Sequence, residues 1–204
     1  MDTSPLAARE ALKQIEHTVR EMRQRLVSRG TDLALIAWGL VWAACYIATH
    51  LLVVHGGPEA IGTIWMAWAV GLAIGAAAMT AIGITHGRDQ PVRSEQARHL
   101  GHTLGWFWCA LGLFAIVWLT MLWPWHPLQM NAFLVTLVMF AYVVMGMWLL
   151  APALIVIGIA IAVTTAIGYL LTVLTTFAGY NLWMAVSGGG GLIAGGFYLR
   201  WRWR

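Results

Sequence analysis

The chain has 204 residues, of which 60% are hydrophobic and 10% are charged, and its formal net charge is +4. No Asp, Glu, Lys or Arg lies between Arg98 and Arg200, and a water-soluble domain cannot stay folded and dispersed with so long an uncharged apolar stretch. The composition therefore excludes a soluble domain and predicts an all-α, polytopic membrane protein. The same lack of charge removes the usual carriers of ions and protons across a bilayer.

The first 30 residues predict a charged amphipathic helix that begins near Pro5, a residue favoured in the first turn of a helix. Its apolar side chains recur at steps of three and four residues: Ala8, Leu12, Ile15, Val19, Met22 and Leu26. Such a stripe can lie on an anionic membrane surface or pair as a short coiled coil. The spacing leaves both open, as well as a plain surface helix that caps the bundle. Of these we favour association with a second copy or with another protein at the cytoplasmic face.

Six apolar runs, separated by turn residues, are each long enough to cross a bilayer. We predict spans at 32–54, 60–84, 103–123, 130–150, 153–176 and 180–199. The weakest break is Ala151-Pro152. A single helix over 130–176 would be about 70 Å long, more than twice the hydrocarbon thickness, so we predict a turn there. The domain organisation is then an amphipathic helix at 1–30, cytoplasmic or interfacial, and a six-helix transmembrane bundle at 31–204.

The basic residues predict the topology, because they occur in three segments only. These are Arg9, Lys13, Arg20, Arg23, Arg25 and Arg29; Arg88, Arg93 and Arg98; and Arg200, Arg202 and Arg204. With six spans the three segments share one side, and the positive-inside rule makes that side, with both termini, cytoplasmic. The net positive charge then indicates contact with anionic lipid and no direct contact with nucleic acid.

A run of small residues interrupts the sixth span. It comprises Ser187, Gly188, Gly189, Gly190 and Gly191, followed by Gly195. In a helix, small residues at this spacing let a second helix approach closely. In a locally unwound segment, the freed carbonyl oxygens could instead bind an ion or a substrate. We favour helix packing and keep the ligand site as the alternative.

Five tryptophans lie deep within the predicted spans, whereas the other eight lie near helix ends, as in an aromatic belt. The deep ones are Trp42, Trp68, Trp108, Trp118 and Trp148. They could line a cavity or stack on a flat ligand. We favour packing, because aromatic side chains at helical spacing usually belong to a core.

The histidines and acids do not form a convincing reactive site. His99 and His102 have i,i+3 spacing, and His86, Asp89 and Glu95 lie in the same loop, so a weak divalent metal site is geometrically open there. We predict a solvated basic loop instead, with no metal and no cofactor. All eight acids lie outside the apolar runs or at their edges, which argues against an enzyme because acid-base chemistry needs positioned carboxylates or histidines.

Three blocks carry a resemblance to a known group of proteins. They are ALKQIEHTVREMR with IAWGLVWAACYIATHLL, then NAFLVTLVMFAYVVMGMWLL, and then YNLWMAVSGGGGLIAGGFYLRW. Together they resemble a group of small bacterial inner-membrane proteins that carry no assigned activity. The resemblance implies a regulatory or sensing partnership in that membrane. The sequence thus favours a non-enzymatic protein that acts by association in a sensing, regulatory or scaffold role. The alternative is a small transporter or permease subunit for a neutral or lipid-like molecule.

Overall fold

The structure is a computed structural model that describes residues 5–57, 59–88, 95–121, 123–124, 126–175 and 177–202. Every regular element within these ranges is a helix. In chain order the helices are α1 (Pro5–His55), α2 (Ala60–Arg88), α3 (Glu95–Met121), α4 (Pro127–Trp148), α5 (Pro152–Leu174), α6 (Tyr180–Met184), a π-helix (Ala185–Gly190) and α7 (Gly191–Arg202).

The prediction of six spans is confirmed, since six stretches of these helices are long and apolar enough to cross a membrane. They are Gly30–His55, Ala60–Thr85, Gly101–Met121, Pro127–Trp148, Pro152–Leu174 and Tyr180–Trp201. The predicted turn at Ala151-Pro152 is also present, because α4 ends at Trp148 and α5 begins at Pro152. Proline suits that first position because its missing N–H group has no helical partner there. The arrangement is that of a multi-pass membrane protein.

Helix α1 is longer than a membrane crossing requires. Its 51 residues correspond to about 75 Å, against a hydrocarbon thickness of roughly 30 Å. The part before Gly30 therefore extends beyond the first span. Gly30 has a φ of +98°, which residues with a Cβ atom rarely adopt, so a glycine suits the point where the two parts of α1 meet.

The bundle core is formed by α1, α4, α5 and the sixth span, which consists of α6, the π-helix and α7. Helix α1 lies between α2 and the sixth span, and α5 lies between α4 and the sixth span. The largest fully buried side chains are those of Leu35, Tyr46, Met139, Thr165, Met184, Leu192 and Leu199. All of them belong to these four spans, so the densest packing surrounds the glycine-rich segment.

Helix α3 lies at the periphery, where α4 is its main neighbour among the described residues. The rings of Phe107 and Trp148 meet edge to face, with their centroids 5.1 Å apart. No residue in the apolar window of α3 is buried. The third span therefore exposes most of its surface to the bilayer.

Candidate functional site

The glycine-rich segment is helical, and its centre is a π-helix that joins α6 to α7. Glycine has a weak preference for the α-helix, so a run of glycines tolerates the wider π-turn at little cost. At the junction, the Ala185 N–H group donates to both Asn181 O and Leu182 O. Ser187 Oγ donates to Trp183 O over 2.7 Å. The unwound arrangement with freed carbonyl groups is therefore not the one that this structure adopts.

Two glycines of the sixth span face α1. A Cβ atom on Gly189 would lie 2.7 Å from Ala43 N, and one on Gly196 would lie 2.7 Å from Asp32 O and 2.6 Å from Ile36 Cγ1. Real Cβ atoms do not approach other atoms so closely. The two backbones are in direct contact at these points. The helices are antiparallel, because Gly189 meets Ala43 whereas Gly196, seven residues later, meets the earlier residue Asp32.

The contact is reciprocal, since α1 also presents a glycine to the sixth span. A Cβ atom on Gly39 would lie 2.7 Å from Gly189 O and 2.8 Å from Ile193 N. Both of these neighbours are backbone atoms, which cannot rotate away as a side chain can. Glycine is thus required on both helices for the observed separation.

The remaining small residues of the segment have other neighbours. A Cβ atom on Gly191 would meet Ile161 of α5 at 3.3 Å, and one on Gly195 would meet Ile157 of α5 at 2.5 Å. One on Gly188 would meet Met184 at 3.2 Å, whereas Gly190 has no neighbour closer than 3.9 Å. The predicted residues therefore divide between the α1 and α5 faces of the span. Whether any of them binds a ligand stays a prediction.

A polar cluster holds the sixth span at the end of the bundle where α1 finishes. The hydroxyl groups of Tyr46 on α1 and Tyr180 on α6 both donate to Asn131 Oδ1 on α4, over 2.9 and 3.0 Å. One amide oxygen thus joins three spans. In a bilayer such a bond has no competition from bulk water.

Two tryptophan indoles add polar bonds between spans. Trp68 Nε1 on α2 donates to Thr49 Oγ1 on α1 over 3.0 Å. Trp183 Nε1 on α6 donates to Thr164 O on α5 over 2.8 Å. Together with the Asn131 cluster, these bonds fix α6 against α4 and α5, and α2 against α1.

Asn131, Tyr46 and Tyr180 are not among the site residues predicted from the sequence. The available signal was Asn131 itself, a carboxamide at the start of the fourth apolar run, since such a group needs a partner where it enters the membrane. The tyrosines lie 85 and 49 positions away in the chain. Their convergence therefore depends on which spans become neighbours, and the local sequence pattern does not predict this.

The deep tryptophans do not converge on one place. Trp42 is buried beside the ring of Tyr46, and Trp68 bonds to Thr49. The other three are exposed on the outside of the bundle: Trp108, Trp118 and Trp148. These positions suit packing and contact with lipid, and a ligand role for them stays a prediction.

The candidate metal ligands are only partly described. His99 and His102 are exposed on the first turns of α3. The side chains of His86, Asp89 and Glu95 lie outside the described residues. Among the residues that the structure describes, no group of three His, Cys, Asp or Glu side chains could hold a metal ion.

The apolar stripe before the first span is described as backbone only. Its backbone belongs to α1, but its predicted association residues have side chains outside the described part: Leu12, Ile15, Val19, Met22 and Leu26. Their shared face therefore stays a prediction.

No protein-family model, curated protein or solved structure matches this chain. The bacterial resemblance noted in the sequence also stays a prediction.

Proposed function

We propose that this is a non-enzymatic, multi-pass protein of a bacterial inner membrane that acts by association in a sensing, regulatory or scaffold role. The observation that carries the proposal is the length of α1, which runs from Pro5 to His55, while the first span begins only at Gly30. About 37 Å of helix is thus available outside the bilayer. A segment of that length is long enough to pair with another helix.

The sequence of this projecting part agrees with a binding role. Its predicted apolar stripe covers about three heptads, which is marginal for a free coiled coil. Membrane anchoring raises the local concentration of two such helices and so compensates for the short length.

The charge distribution supports a cytoplasmic position for this segment. In a six-span chain both termini lie on one side, and all twelve Lys and Arg residues lie in segments assigned to that side. By the positive-inside rule the projecting part of α1 is cytoplasmic. Its partner is then a second copy of this chain or another cytoplasmic or membrane protein.

The transporter alternative requires a substrate path through the glycine-rich segment. In the structure this segment is helical and lies against both α1 and α5, which is the arrangement expected of a structural contact. Flux across proteoliposomes that is lost in a folded Gly189→Leu variant would favour the transporter over association.

The test removes residues 1–28 and leaves the six spans intact. We expect the truncated protein to insert and remain folded, but to lose its self-association or its co-purifying partner when native mass spectrometry is applied to protein extracted in native lipid. Unchanged oligomer size together with unchanged partners would contradict the proposal. A retained lipid-like molecule without a protein partner would point to the transporter.

A matched pair of substitutions distinguishes helix pairing through the apolar stripe from a general effect of charge on this segment. Val19→Asp places a carboxylate in the predicted apolar stripe, whereas Gln24→Asp places the same group on the opposite side of the helix. We expect only Val19→Asp to abolish association. Equal loss in both variants would indicate that overall charge at an anionic membrane surface, and not helix pairing, controls binding.

A further inference from the structure

Helix α1 packs along the whole sixth span, but the two ends of this span are held by different kinds of contact. On the α6 side, the Tyr180 hydroxyl donates to Asn131 on α4, and Trp183 Nε1 donates to Thr164 O on α5. On the α7 side, Gly196 lies against Asp32 and Ile36 of α1. The π-helix lies between these two attachments. Any change in the π-helix must therefore change the register of α7 relative to α1.

A π-turn contains one residue more than an α-turn in the same length of helix. If the π-helix becomes α-helical while α6 stays fixed, each residue of α7 moves forward by one position. This corresponds to about 1.5 Å along the axis and about 100° around it. The position that a residue occupies now would be taken by the residue before it.

The sequence of α7 permits this shift at each of its tight glycine contacts. The place of Gly196 would be taken by Gly195, that of Gly195 by Ala194, and that of Gly191 by Gly190. All three replacements are small. The contact between Ile193 and Gly39 would be made by Leu192, a side chain of the same size.

The opposite shift is blocked. It would place Phe197 where Gly196 now touches the α1 backbone, and Leu192 where Gly191 now touches Ile161. The paired small residues therefore tolerate a register change in one direction only. That direction is the one produced when a π-helix loses its extra residue.

We propose that the sixth span is a two-register joint, in which exchange between π-helix and α-helix at Ala185–Gly190 rotates α7 against α1 and α5. The observed register is the more populated one because it buries both Leu192 and Leu199. In the shifted register Gly191 would leave the first place partly empty, and the larger Tyr198 would have to enter the second. The inference goes beyond association and does not depend on it, because it concerns the bundle alone. Its consequence is a movement of the end of α7 beside Asp32, next to the point where the projecting part of α1 begins.

Two adjacent substitutions, each adding one methyl group, favour opposite registers. Gly196→Ala conflicts with Asp32 O in the observed register, but in the shifted register residue 196 takes the exposed place of Phe197. Gly195→Ala meets the Ile157 side chain, at Cδ1 and Cγ1, in the observed register, whereas in the shifted register it would meet the backbone oxygen of Asp32, which cannot rotate away. The first variant therefore favours the shifted register and the second the observed one.

A disulfide reports the register. Cysteines replace Ile157 and Ala194 in a background in which Cys45→Ser and Cys109→Ser remove the native thiols. Ala194 is exposed in the observed register, whereas in the shifted register it occupies the place of Gly195 beside Ile157, where Cβ atoms come close enough for a disulfide. We expect the disulfide-linked fraction to be about tenfold higher with Gly196→Ala than with Gly195→Ala, with the parent protein in between.

Deletion of Gly190 supplies a second test. It removes the extra residue, so that a plain α-helix spans the same length and α7 keeps its present contacts. With no extra residue to release, the sixth span can no longer reach the shifted register. We expect this variant to fold and to give only background disulfide. The proposal is overturned if Gly195→Ala and Gly196→Ala crosslink equally, if Gly196→Ala fails to fold, or if the Gly190 deletion crosslinks as well as the parent.

Discussion

The third and sixth spans are similar in length and both contain several glycines, but they pack in opposite ways. In the sixth span 44% of the apolar window is buried, whereas no residue of that window is buried in the third span. Glycines of the sixth span touch the backbone of α1. On α3, a Cβ atom added to Gly101, Gly105 or Gly112 would meet no atom within 4 Å among the described residues. Glycine alone therefore does not determine where two helices meet.

The difference comes from the facing helix. Opposite Gly189, α1 presents Gly39 and Ala43, so that both surfaces are small and the two backbones come into contact. Between α3 and α4 the contact is made by the rings of Phe107 and Trp148, which hold the helices apart. Close packing in a membrane needs small residues on both sides.

The largest expected effect comes from comparing a leucine at a glycine that contacts another span with a leucine at a glycine on an open surface. Gly39→Leu must displace the backbone at Gly189 and Ile193, and we expect it to lower the free energy of unfolding by about 3 kcal/mol. Gly105→Leu extends from α3 into open space, and we expect a change within about 0.5 kcal/mol. Reversible unfolding in mixed micelles, followed by tryptophan fluorescence, measures both.

Equal losses of unfolding free energy in Gly39→Leu and Gly105→Leu would show that the third and sixth spans do not differ in how closely their glycines are packed. Gly105→Ala serves as the control for helix propensity, because its methyl group meets no described atom within 4 Å, whereas the methyl group of Gly39→Ala already meets Gly189 O. A destabilising Gly105→Leu would mean that the open face of α3 is covered in the membrane by something that the single chain does not contain.

A smaller effect is expected from the polar bonds of the two regions. Asn131→Leu leaves the hydroxyl groups of Tyr46 and Tyr180 without their shared acceptor, and we expect a loss of about 1 to 2 kcal/mol. On α3, the Thr120 hydroxyl donates to Ile116 O and Val117 O of its own helix. Thr120→Val should therefore change stability by less than about 0.5 kcal/mol.

A double-mutant cycle between Asn131→Leu and Tyr180→Phe assigns the loss to the bond itself. We expect the two substitutions to be non-additive, because each removes the same interaction. Additive losses would mean that the amide and the hydroxyl act separately, and that the convergence of three spans on Asn131 adds nothing to stability.

Much of the fold follows from the sequence, because bilayer thickness limits helix length and prolines and glycines mark the turns. Six spans and the turn before Pro152 are confirmed on this basis. The partners of each span were not predictable in the same way. Lipid-facing and partner-facing surfaces are both apolar, so hydropathy does not distinguish the exposed α3 from the buried sixth span.

The candidate site was predictable only in outline. The run from Ser187 to Gly191 marks the segment, but its π-helix depends on fitting α6 to Asn131 and α7 to Asp32 at the same time. That fit involves residues far apart in the chain. The positive φ of Gly30 is equally hidden, because glycine permits this conformation without requiring it.

The smallest expected effect concerns the only ring contact described between α3 and α4. A double-mutant cycle with Phe107→Ala and Trp148→Ala should give a coupling energy of about 0.5 to 1 kcal/mol, the range of an edge-to-face pair. Phe114 and Trp118 lie within α3 with centroids 6.0 Å apart, and as an i,i+4 pair on an exposed surface they should couple by only about 0.3 kcal/mol. If the first coupling is no larger than the second, the rings of Phe107 and Trp148 do not hold α3 to the bundle, and lipid packing alone keeps the third span in place.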